Sequence, residues 1–179
     1  MSANPKQTQT GTEATSKTGS RRAAALADRI EEGAAGLATF AEGLSEAEWL
    51  TPVSATDRRS VGVIVNHVAS VYPVEIEVAK AIASGQAVTE VTWEAVNQMN
   101  AKHSLDQEAA TKEATLDLLR RNSRAAAAAV REFTDEQLDQ AAPFSLSFGA
   151  PVTAQFVIED HALRHSWHHL ARIRKAIGR

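Results

Sequence analysis

Between Ser60 and Ser84 the apolar residues Val61, Ile64, Val68, Val71, Tyr72, Val78 and Ile82 recur at helical spacing. Only a helix gathers that spacing into one broad face, and a face so broad must be covered from several sides. The helix is expected to begin near Ser60, and Ser84-Gly85 closes it. Pro73 falls inside the run and predicts a kink, because its ring lacks an N–H and crowds the carbonyl four residues earlier.

The rest of the chain supplies helices as the covering partners. Ala25, Ile30, Ala34, Leu37 and Phe40 approximate a period of 3.6 from Arg21 to Gly43. Ser45 and Glu48 form a capping-box pair that opens a short turn ending before Pro52. Residues 91–103 read as a third, shorter helix. Thr111 opens a long one through Leu116, Leu118, Leu119 and the alanine run to Phe133. Thr134 and Gln137 cap a further short turn, and 142–152 is expected to be a loop or a short extended segment. Thr153 caps a last helix that runs to Ile177 and stops at Gly178, with Arg172, Arg174 and Lys175 suited to its negative end. Nine glycines and five prolines leave little punctuation for a multi-stranded sheet. The expected fold is all-α, an up-and-down four-helix bundle with short accessory helices over residues 21–179. Residues 1–20, rich in Ser, Thr and Gln, are expected to form a disordered tail.

Composition narrows the function classes. A net charge of −3 gives no general pull toward nucleic acid or an anionic membrane. The absence of cysteine removes disulfides, thiolate ligands and any thiol nucleophile of the chain's own. No apolar run reaches the length of a membrane-spanning helix, and no signal-peptide core is present at the N-terminus, so the expected location is the cytoplasm.

Four of the six histidines fall in D-H-A-L-R-H-S-W-H-H, at 161, 165, 168 and 169. His165 and His169 are spaced i,i+4, which sets both side chains on one helical face within reach of one metal ion. Ile158, Ala162, Ile173 and Ala176 share that stripe, so the face points into the bundle. His161 continues the row one turn earlier and competes for a ligand role, whereas His168 is turned about 100° away. His67, beside Ile64 and Val71, is the best third candidate from a facing helix. Three neutral nitrogens leave positions open for water or substrate, and they suit zinc, nickel, copper or iron(II), with zinc and nickel foremost. The zinc-protease pattern is missing, since Ala162 follows His161 and Ser166 follows His165. Trp93, Asn97, Asn100 and His103 are candidates for a pocket mouth, against the plainer reading of a solvated helix face. Asp160 or Glu159 is a candidate to orient a ligand imidazole. Arg120, Arg121 and Arg124 are candidates to attract an anion, or ordinary basic residues late in an exposed helix.

The segment S-V-G-V-I-V-N-H-V-A-S-V-Y, followed about a hundred residues later by H-S-W-H-H-L-A-R-I-R, resembles the DinB/YfiT-like superfamily. The resemblance extends from about Arg22 to the C-terminus. It implies a four-helix bundle whose metal ligands are His67, His165 and His169, with His161 and His168 outside the ligand set. It also implies a thiol-dependent S-transferase, moving a low-molecular-weight thiol such as mycothiol or bacillithiol onto an electrophile, and it suggests a homodimer. Mycothiol-dependent isomerases of the family carry a carboxylate in place of one histidine, and His165 departs from that variant. The residues identify no general base. The alternative expectation is a non-catalytic metal-binding bundle of a stress response, acting through association.

Overall fold

Side chains cap the start of nearly every helix in the computed structural model, which describes residues 20–179. The expected tail lies outside the described residues except for Ser20, whose hydroxyl accepts from the Ala23 N–H and opens α1 (Arg21–Glu42). Ser45 and Glu48 form the expected capping box of α2 (Glu46–Trp49), and Ser60 caps α3 (Val61–Ala83). Thr92 caps α4 (Trp93–Asp106), Thr111 caps α5 (Lys112–Arg131), and Thr134 with Gln137 boxes α6 (Asp135–Asp139). Strand β1 (Ala141–Pro143) pairs antiparallel with β2 (Pro151–Thr153) through Ala142 opposite Val152. Thr153 then caps α7 (Ala154–Val157), which passes through a π-helical stretch, Ile158–Leu163, into α8 (Arg164–Ile177). Each capping oxygen satisfies one backbone N–H that the helix itself leaves free.

Two expectations change in detail. The short helix runs on to Asp106, and the last helix is not uniform: six residues, His161 among them, adopt π geometry just ahead of His165. The expected loop at 142–152 is the two-stranded hairpin with a 3₁₀ turn at Ser145–Ser147.

The four principal helices α1, α3, α5 and α8 form the bundle. Helix α5 packs on both α1 and α3, and α8 packs on both from the other side. The order around the bundle is therefore α1, α5, α3, α8, and the first two principal helices lie across a diagonal. Ile30, Leu37, Ile64, Val65, Val68, Leu119, Val130, Ile158 and Ile173 fill the interior. The segment that crosses from α1 to α3 carries α2 and tucks Trp49 against α3. A Cβ at Gly62 would collide with that indole, so glycine is required where the crossing segment meets the helix.

Contrary to the expectation that no apolar run is long enough, helix α3 has the length and apolar composition of a membrane-spanning helix, but it lies between α5 and α8 with 61% of its most apolar stretch buried. Burial within the bundle accounts for that composition. Pro73 leaves the Ala69 carbonyl without its usual intrahelical donor. Asn122 on α5 fills the gap, donating from Nδ2 to Ala69 O at 2.8 Å. Helix α4 buries no residue of its own. Its His103 Nε2 lies 3.0 Å from Asn66 Oδ1 on α3, and Asn66 donates through Nδ2 to Thr115 Oγ1 on α5 at 3.1 Å.

Candidate metal centre

Helices α3 and α8 each bring imidazoles to one point. His67 sits on the second turn of α3, and His165 and His169 occupy successive turns of α8. Each offers a ring nitrogen, and these three nitrogens lie within 4.8 Å of one another. The rings of His165 and His169 stack at 4.8 Å between centroids, while His67 meets them edge-on at 5.0 and 5.6 Å. Tyr72 fixes the relative height of the two helices. Its hydroxyl and that of Ser166, both fully buried, lie 2.7 Å apart.

Burial selects the neutral form of His67 and His169. It pushes His67 down to about 3 and His169 down to about 2, with the His165 ring adding to both shifts. Neutral imidazole is the form that binds a metal ion. His165 Nδ1 lies 2.6 Å from Glu75 Oε1, so the tautomer with Nδ1–H donating to that carboxylate leaves Nε2 free to act as a ligand. Nδ1 of His169 is buried with no hydrogen-bond partner. An unpartnered imidazole nitrogen in a dry site is unfavourable as it stands. Three converging ring nitrogens, one ring backed by a carboxylate, fit a divalent metal ion.

The nitrogens open on a cavity of about 510 Å³. Val71, Val74 and Val78 of α3, Met99 of α4, and Phe144 and Leu146 of the hairpin segment contribute apolar side chains to its wall. Phe144 is held there by backbone bonds on both sides: Val88 donates to Pro143 O and Ser145 donates to Val88 O, each at 2.9 Å.

Of the sequence candidates, His67, His165 and His169 come together. His161 lies on the cavity wall against Phe144, at 5.9 Å between ring centroids, and is not part of the cluster. His168 lies on the rim, with burial and Arg172 lowering its pKa. Trp93 and Asn100 line the cavity, whereas Asn97 does not. His103 instead joins α4 to Asn66, its ring 5.8 Å from that of His67. Neither expected acid orients a ligand: Asp160 pairs with Arg164 at 3.1 Å, and Glu159 accepts from Gln155 at 3.0 Å. Glu75 takes that role. Its signal in the sequence is an acid between Val74 and Ile76, two turns beyond His67, on a helix with few other charges. Arg120 pairs with Glu42 and Asp117, and none of Arg120, Arg121 and Arg124 lines the cavity.

The family model of the DinB superfamily matches residues 29–173, most of the chain, and the chain belongs to that superfamily. The fold is similar to that of YfiT from Bacillus subtilis, described as a probable metal-dependent hydrolase with an unusual four-helix bundle topology. The TM-score is 0.70 at 18% identity, covering 91% of this chain and 92% of that one. No curated protein matches the sequence.

Proposed function

We propose that this DinB-superfamily chain is a metal-dependent transferase that joins a low-molecular-weight thiol to an electrophile, with His67, His165 and His169 as the metal ligands. The observation that carries this reading is the convergence of three imidazoles at the end of a largely apolar cavity. A divalent ion there supplies the positive charge that lets a thiol act as its thiolate at neutral pH. The residues do the rest. The imidazoles leave that charge undiminished, Glu75 holds the His165 tautomer and ring plane, and the apolar wall keeps water from competing for the electrophile. The sulfur–carbon bond forms as the bond to the leaving group breaks, and the thiol proton departs with that group or to solvent. Thiol chemistry suits this wall better than hydrolysis, because the acids in it already engage partners: Asp160 with Arg164 and Glu75 with His165. A thiol is also many pKa units easier to ionise than water. The reading takes residues 21–179 as one working domain of a cytoplasmic homodimer with small-molecule partners and no nucleic acid or membrane.

Hydrolysis is a second reading, favoured by what is said of YfiT and by Glu75 Oε2, which is buried without a partner. Metal content by mass spectrometry separates the binding question from the reaction. The wild type and His161→Ala are expected to carry one ion per chain, and His169→Ala little or none. Turnover of an electrophile that depends on added thiol supports the transferase, and thiol-independent ester or amide cleavage supports the hydrolase. Metal without either activity leaves a non-catalytic metal-binding bundle. A wild type that takes up no metal under anaerobic reconstitution sinks all three.

A further inference from the structure

The wall of the cavity restricts what enters it. Valines of α3, Met99 of α4 and Phe144 of the hairpin segment give it an apolar surface. Among the described residues that line it, the charged side chains are paired within the wall itself. Asp160 faces Arg164 at 3.1 Å, and Glu75 faces His165 at 2.6 Å. In the metal-free chain an anion would give up hydration against this wall without a free cationic side chain to receive it, which is unfavourable. The negative charge of Glu75 in the same wall further disfavours an anion. The volume, about 510 Å³, is within the usual range of small-molecule sites. An apolar cavity of about 150 Å³ accepts one benzene, so this one has room for about three rings of that size.

We propose that the cavity binds an uncharged, predominantly apolar alkyl or aryl compound. Only the role of that compound as the electrophile, with its reacting carbon at the histidine end, rests on the transferase reading. Helix α4 closes one side of the pocket with Trp93 and Met99, which remain 54% and 45% exposed. Such a ligand would cover apolar surface on both, which supplies the driving force for binding.

The test uses the full chain, both metal-loaded and metal-stripped, titrated with uncharged N-phenyl-1-naphthylamine and with its anionic relative 8-anilino-1-naphthalenesulfonate. In the metal-stripped chain the uncharged dye is expected to bind one per chain with a blue-shifted emission, at least tenfold more tightly than the sulfonate, and the metal-loaded chain is expected still to bind the uncharged dye. Met99→Asp is expected to weaken the uncharged dye at least tenfold. Leu105→Asp removes a more exposed apolar residue of the same helix, away from the cavity, and is expected to leave dye affinity unchanged. Equal or tighter binding of the sulfonate by the metal-stripped chain, no binding of either dye, or equal losses in the two variants would overturn the inference. Metal content measured on the same samples keeps the two ideas apart. Dye binding by a chain that takes up no metal supports the cavity assignment and sinks the metal reading. Metal uptake without dye binding does the reverse.

Discussion

The bond from Asn122 to the Ala69 carbonyl gives a prediction that can be worked through in numbers. Pro73 removes the N–H that would otherwise satisfy Ala69, a fully buried residue, and the side-chain amide of α5 supplies the missing donor at 2.8 Å. Asn122→Ala leaves that carbonyl without a donor, a loss of about 1–3 kcal/mol. In a domain of this size that corresponds to a fall in Tm of about 2–4 °C per kcal/mol. In a Pro73→Ala background the backbone regains its own donor, so the same Asn122→Ala change should be milder by about 1 kcal/mol or more. The four proteins form a double-mutant cycle read by urea denaturation with a shared m-value. Additive losses, with a coupling under about 0.3 kcal/mol, would show that the amide does not stand in for the proline's missing donor.

Glu75→Gln keeps a hydrogen-bond acceptor but removes the carboxylate behind His165, and metal affinity should fall about 10–100-fold with the fold intact, as read by competition with a chromophoric chelator. Unchanged affinity would remove Glu75 from the site. In the metal-free protein, His67 and His169 resist protonation down to about 3 and about 2, against an ordinary 6.5. The unfolded chain therefore binds more protons than the folded one as pH drops below 6.5. Stability is full above that value and is lost toward pH 3, at up to about 2.7 kcal/mol per pH unit for two groups. Denaturation midpoints between pH 7 and pH 4 should show the slope, and the double change His67→Gln, His169→Gln should flatten it. A wild-type profile already flat over that range contradicts the assignment.

Much of the bundle was legible because its signals are local. The 3.6-residue spacing of Val61, Ile64 and Val68, and the helix starts at Ser45, Thr111, Thr134 and Thr153, report backbone conformation within a few residues. The i,i+4 spacing of His165 and His169 is local in the same sense. What covers an apolar face is not local, so the diagonal placement of α1 and α3 has no counterpart in periodicity. The π stretch before His165 is a change in hydrogen-bond register that no residue type in Ile158–Leu163 announces. Glu75 reads as an ordinary surface acid until α8 brings His165 against it. Asn122 is likewise an unremarkable polar residue of α5 until its distance to Ala69 is known.

The order of helices around the bundle bears on when the site comes into being during synthesis. Helix α5 is the wall shared by α1 and α3, so those three can associate while the C-terminal part of the chain is still unmade. His67 then waits on an open face, and its partners arrive about a hundred residues later with the docking of α8, the last and longest-range closure of the fold. An ion held by His67, His165 and His169 would thus act as a clasp on that final helix. It would slow the undocking of α8 while leaving the α1–α5 contact untouched, and amide exchange measured helix by helix, with and without metal, would record the difference.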